Sequence, residues 1–69
     1  MEVQATMAGS VWKINVNEGD QVEEGQDIVI LESMKMEIPV SVEKNGVVKQ
    51  LKVQEGDFVN EGDVIAVVE

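Results

Sequence analysis

Apolar residues recur along this chain in short runs that alternate with polar ones, and each run meets a turn dipeptide before a helical period can establish itself. Val, Ile and Leu dominate the apolar set, which fits pleated, half-buried strands. The pattern predicts strands near 2–7, 10–16, 21–22, 27–32, 37–42, 47–53, 58–59 and 64–68. Turns are expected at Asn17 to Asp20, Glu24-Gly25, Lys44-Asn45-Gly46, Gln54 to Asp57 and Glu61-Gly62, with glycine where positive φ is needed. Asn45-Gly46 is the strongest hairpin signal among them. Apolar positions at Val11, Ile14, Val16 and at Val48, Leu51, Val53 step by three and then by two, so each of these strands should hold a β-bulge. Pro39 reads as an edge or bulge position that ends regular pairing.

The matching irregularities reflect an internal repeat. A shift of 37 residues superimposes 9–32 on 46–69 with eleven identities, among them Glu18-Gly19-Asp20 with Glu55-Gly56-Asp57 and Glu24-Gly25 with Glu61-Gly62. The prediction is an all-β fold, a flattened barrel or sandwich of two four-stranded antiparallel sheets related by a pseudo-twofold axis, in one domain spanning 1–69. Extended backward, the shift pairs Val3 with Val40 and Ala5 with Val42. The connection from Glu32 to Pro39 then corresponds to the gap between the chain ends, so the termini should lie together at the end opposite that connection. Phe58 and Trp12 occupy the repeat positions of Gln21 and Lys49. Phe58 is accordingly expected at a half-buried surface or edge position, and Trp12 at an exposed or partly covered one.

Composition narrows the function. Fourteen acidic residues against five basic ones give a formal charge of −9, which opposes binding to nucleic acid or an anionic membrane and permits steering toward basic protein surfaces. There is no His and no Cys, so the common catalytic triads, dyads and thiolate metal sites lack their residues. Glu18/Asp20 and Glu55/Asp57 fall in turns, lack the Asp-x-Asp-x-Asp-Gly series of a calcium loop and read as turn residues that bond to the backbone. Nothing resembles a signal peptide or a membrane span, and the expected setting is the cytoplasm, with the domain monomeric in isolation.

One segment is not repeated. Glu32-Ser33-Met34-Lys35-Met36-Glu37 falls between the copies, and its centre, Met34-Lys35, should form a two-residue hairpin turn without the usual Gly, Asn or Asp. Local rules broken in this way tend to mark functional sites, and thioether side chains adapt well to a partner's groove. From the residues alone, a solvated lysine whose methionines pack in the core is the other reading.

Glu32-Ser33-Met34-Lys35-Met36-Glu37-Ile38-Pro39-Val40 resembles the biotin attachment motif of biotin-dependent carboxylases and decarboxylases. The flanking Glu-Gly-Asp-x-Val-x-x-Gly elements are similar to the biotinyl/lipoyl domain pattern over essentially the whole chain. The resemblance implies a biotin carboxyl carrier, with biotin joined to Lys35 as an amide by a biotin protein ligase that reads Met34, Met36, Glu32, Ser33 and Glu37. Its partners would be biotin carboxylase and carboxyltransferase components, and the domain itself would catalyse nothing. Ser33 stands where the family usually has alanine. No thumb-forming insertion falls between Gly9 and Glu32, so the chain resembles the thumbless, free-standing type, or one separated from a larger subunit. Lipoate on the same lysine is the alternative, although lipoyl domains typically place an acidic residue before the lysine and a small or apolar one after it. A third possibility is an unmodified adaptor, like the lipoyl-like hairpins of membrane-fusion proteins.

Overall fold

A computed structural model describes all residues, Met1 to Glu69. Eight strands form: β1 (Glu2–Gln4), β2 (Gly9–Ile14), β3 (Gln21–Val22), β4 (Asp27–Ser33), β5 (Met36–Ser41), β6 (Gly46–Leu51), β7 (Phe58–Val59) and β8 (Val64–Val68). Pairing is antiparallel throughout, in two four-stranded sheets ordered β1-β8-β6-β3 and β5-β4-β2-β7. Replacing each strand by its repeat partner turns one order into the other. The duplication is therefore a pseudo-twofold relation between the sheets.

Cross-links between the halves obey the same relation. The Gly19 amide donates to Val48 O at 2.7 Å and the Gly56 amide to Val11 O at 2.8 Å; the Val48 amide donates to Asp20 O at 2.8 Å and the Val11 amide to Asp57 O at 2.7 Å. Each turn thus hangs from the bulged strand of the other repeat, and neither half could close its hydrogen bonds alone.

Inside, alternation supplies a core of 15 buried residues, all Val, Ile, Leu or Ala, with Ile28, Leu31 and Ile65 fully covered. No polar or charged side chain is buried. The interior thus stabilises the fold and offers no titratable group for chemistry.

The two expected bulges are present. Val11 faces Leu31 while Lys13 faces Ile30, leaving Trp12 as the extra residue; Val48 faces Val68 while Gln50 faces Val67, leaving Lys49. Strand ends differ from expectation. β2 and β6 stop at Ile14 and Leu51, where the Ile14 amide donates to Glu55 Oε2 and the Leu51 amide to Glu18 Oε2, each at 3.0 Å, and one backbone bond continues past each end, from the Asn15 amide to Ile28 O and from the Lys52 amide to Ile65 O, both at 2.9 Å. β1 stops at Gln4, after a register shift that sends the Ala5 amide to Asp63 O at 2.8 Å.

Pro39 corrects a second expectation. It does lie on an edge strand, but pairing does not end there: Pro39 faces Ile30 and Val40 faces Val29, and the irregularity comes later, between Asp27 and Val29. An edge strand leaves one side of its backbone free, so the missing N–H can point away from the ladder. Phe58 lies on the opposite edge strand and is 66% exposed, more open than half-buried.

At the seam, the Val68 amide donates to Met1 O at 2.8 Å and Met1 N donates back to Val68 O. Under the repeat this pair matches Leu31 facing Ile38 in the β4–β5 ladder. The chain ends therefore occupy the twofold image of that hairpin, at the other end of a molecule 31 Å long and 19 × 18 Å across.

Candidate functional site

The last ladder pair of the β4–β5 hairpin is Ser33 with Met36, so Met34 and Lys35 alone make the turn. Their φ values are 52° and 66°, and they are the only non-glycine residues with positive φ. Positive φ at both central positions is what a type I′ hairpin requires, and it matches the right-handed twist of the strands. The ordinary occupants are Asn and Gly. Holding a methionine and a lysine there costs on the order of 1 kcal/mol or more per residue. The other tight turns follow the usual chemistry: Gly19, Gly25, Gly56 and Gly62 take the positive φ, and Asp20, Asp57 and Asp63 accept amides three residues back at 2.8 to 2.9 Å. Strain is confined to the unrepeated turn.

Exposure there is also unusual. Met34 is 91% exposed and Met36 62%, which rejects the reading of core methionines. Lys35 is exposed and forms no ion pair, the sole salt bridge being Lys49 with Glu69 at 3.3 Å. Two open surface hollows, one against Glu2–Thr6 and one against Gln21–Glu23, include none of Met34, Lys35 and Met36. A group placed on this lysine would stand clear of the protein. Neither hollow reaches the tip, so what the turn offers is an exposed amine.

Behind the tip, Glu32 and Glu37 face each other across the ladder, and Ser33 is half-buried. Like charges directly opposite are unfavourable in a sheet. One contributor is not signalled by the motif. A Cβ at Gly9 would lie 2.8 Å from Glu32 O and 3.5 Å from Ser33 Cβ, so β2 can press against the base of the hairpin only as glycine. Its repeat mate Gly46 stands in the same relation to Glu69 O, also at 2.8 Å. The Gly9/Gly46 identity was the available signal, but spacing alone does not tell a close approach from a turn glycine.

No group of three or more acidic, His or Cys residues is arranged to hold a metal, and no helix is long and apolar enough to cross a membrane. The candidate site therefore comprises an exposed amine, the two methionines beside it, and the acidic pair behind them.

Comparison with known proteins agrees with this picture. A family model described as "Biotin-requiring enzyme" matches residues 1–68. The chain is 58% identical over 50 residues to the biotin/lipoyl attachment protein of Bacillus subtilis (strain 168), covering 72% of this chain and 68% of that one. It is 46% identical over 67 residues to the biotinylated protein TB7.3 homolog of Mycobacterium leprae (strain TN), covering 97% and 94%. Among solved structures, the urea carboxylase of Kluyveromyces lactis superimposes with a TM-score of 0.94 at 35% identity, over 100% of this chain and 6% of that one. In that large enzyme the matching part is one small portion. With the fold, the exposed lysine turn and the family match in agreement, the chain belongs to the biotin/lipoyl attachment family of biotin-requiring enzymes.

Proposed function

We propose that the protein is a biotin carboxyl carrier, modified on Lys35 by a biotin protein ligase and serving a biotin-dependent carboxylase. The observation that carries this is the strained, exposed Met34-Lys35 turn, in which the amine has no partner within the protein. Attack requires the neutral amine: Lys35 Nζ bonds to the acyl carbon of biotinyl-adenylate, AMP leaves, and the amine's proton passes to solvent or to the ligase. A turn with no charged neighbour bound to the lysine lets the ligase supply that environment. Met34 and Met36 offer it two deformable apolar contacts, and Glu32, Ser33 and Glu37 complete the surface it reads. Acylation also removes the positive charge from the tip.

Once attached, biotin supplies a ureido nitrogen able to carry a carboxyl group between carboxylase and carboxyltransferase sites. The chain's part is to hold Lys35 at the end of a rigid body and to leave the attached arm free. Tethering makes each encounter effectively intramolecular and raises local concentration without tight binding. The chain's similarity to a urea carboxylase and to a biotin-dependent acyl-coenzyme A carboxylase subunit supports this reading over lipoate.

Intact mass after incubation with biotin ligase, biotin and ATP tests it, in parallel with lipoate ligase and lipoate. The expected result is one biotinyl increment on wild type and none on Lys35→Arg. A lipoyl increment alone would move the protein to lipoate chemistry, and no increment from either would return the lysine to a plain solvated residue.

A further inference from the structure

The pseudo-twofold axis provides an internal control, because each outer position of one sheet has a partner in the other built on the same backbone. In the β1-β8-β6-β3 sheet the bulge residue is Lys49, which pairs with Glu69 at 3.3 Å, and β3 contributes Gln21. In the sheet that carries Lys35 the corresponding residues are Trp12, Glu32 and Phe58. The fold thus tolerates a polar, salt-bridged surface at these positions and bears an apolar one instead. Trp12 is 46% exposed and Phe58 66%, and these are the only aromatics.

Register brings them together. Ser10 pairs with Phe58 on one side and with Glu32 on the other, and Glu32 pairs with Glu37, so one outer row runs Phe58, Ser10, Glu32, Glu37. The next row is Pro39 and Ile30 facing the bulge, where Trp12 is the inserted residue and Lys13 faces Ile30. The face therefore carries exposed Phe58, Trp12 and Pro39 and half-buried Ile30, broken only by Ser10 and Lys13, beside two facing carboxylates. Glu32 has lost the cation that Glu69 keeps, since Trp12 replaces it, and neighbouring Lys13 forms no ion pair.

We propose that this face is a docking surface for the biotin carboxylase component, the enzyme that loads the carboxyl group onto the group attached to Lys35. The matching patch on that partner is an apolar hollow bordered by arginine or lysine. A cation there would relieve the Glu32–Glu37 repulsion, and a guanidinium could also lie on the Trp12 ring. The position selects the occupant. A ligase must enclose Lys35 Nζ itself and so meets the tip and the carboxylates just behind it, whereas Trp12 and Phe58 lie farther back along the face of the sheet, where an enzyme that takes up the attached group can rest against the body. The proposal rests on the carrier reading above.

The test transplants the second repeat onto the first: Trp12→Lys with Phe58→Gln, side chains that this backbone already accommodates at Lys49 and Gln21. Intact mass monitors biotin ligation at Lys35, and a purified biotin carboxylase is assayed by bicarbonate-dependent ATP hydrolysis with the biotinylated protein as substrate. For the double variant, ligation at the wild-type rate is expected, with KM for the carrier raised ~10-fold or more and kcat largely kept; Glu32→Gln, which lies in the surface the ligase reads, is scored after biotinylation by the carboxylase KM alone and should raise it less. As a readout independent of turnover, 5-fluorotryptophan at Trp12 should shift or broaden in fluorine NMR on titration with the carboxylase, and added NaCl should weaken the effect. An unchanged KM, or a silent Trp12 resonance, overturns the proposal while leaving the carrier reading intact. Slowed ligation with normal carboxylation also overturns it and assigns the face to the ligase. Loss of Lys35 modification in wild type would overturn the carrier reading itself.

Discussion

Gly9 has the sharpest steric requirement in the hairpin's support. Adding a Cβ there forces contact with backbone, Glu32 O at 2.8 Å, and backbone at the base of a tight turn has little room to yield. Gly9→Ala should destabilise by roughly 1 to 3 kcal/mol, read as a lower urea midpoint with an unchanged slope. Gly46→Ala meets Val68 Cγ1 at 2.7 Å and Glu69 O at 2.8 Å, so it should cost a similar amount. Only Gly9 abuts the strand that leads into Met34-Lys35, and only Gly9→Ala should also slow ligation at Lys35. Equal ligation rates for the two variants would mean that the turn is indifferent to its support. Residue by residue, legibility followed the range of the interaction. Lys35 stood out because its segment is local and unrepeated, and the turn centre Met34-Lys35 came out as expected. The close approach at Gly9 was not readable, because it depends on the distance between strands 23 residues apart in the chain.

Among the elements, the bulged strands β2 and β6 are the most informative. Their bulges were visible as a broken alternation, since a period-2 pattern that skips one position leaves an unpaired residue. Their ends were not, because the apolar pattern continues through Val16 and Val53 while the strands end at Ile14 and Leu51, with one last backbone bond at Asn15 and at Lys52. Side chains from the other repeat meet the strands there: the Ile14 amide donates to Glu55 and the Leu51 amide to Glu18. Glu55→Ala removes that acceptor and exposes the amide to water, so the expected loss is ~1 kcal/mol, with Glu18→Ala equal to it by symmetry. Because each bond joins opposite halves, the double variant should lose about the sum, and amide exchange should accelerate at both Ile14 and Leu51. Protection unchanged in either single variant would show that these carboxylates merely rest near the strand ends. Pro39 fits the same lesson, since whether proline interrupts a ladder depends on which side of the strand is paired, and the sequence around it does not encode that side.

For the whole molecule, the −9 charge must be reconciled with a core of only 15 residues. Fourteen carboxylates sit on a surface of 4417 Å², none buried, and a single exposed pair, Lys49 with Glu69, offers direct compensation. Such a pair contributes at most ~1 kcal/mol, so self-repulsion of the folded shell is the larger electrostatic effect. The unfolded chain spreads the same charges apart, and salt therefore helps the folded state more. Raising NaCl from ~10 mM to ~1 M shortens the Debye length from about 30 Å to about 3 Å, from near the full length of the molecule to less than its width. The thermal midpoint should rise by several degrees across that range, and a fall would mean that favourable local pairs outweigh the repulsion. Acylation of Lys35 removes one more positive charge, so the modified protein should be slightly less stable at low salt and indistinguishable at high salt. Docking through Glu32 and Glu37 has the opposite dependence, because salt screens an attraction there. A medium that strengthens the fold should weaken its association with a basic partner, and thermal scans run beside binding titrations in the same buffers would separate the two effects.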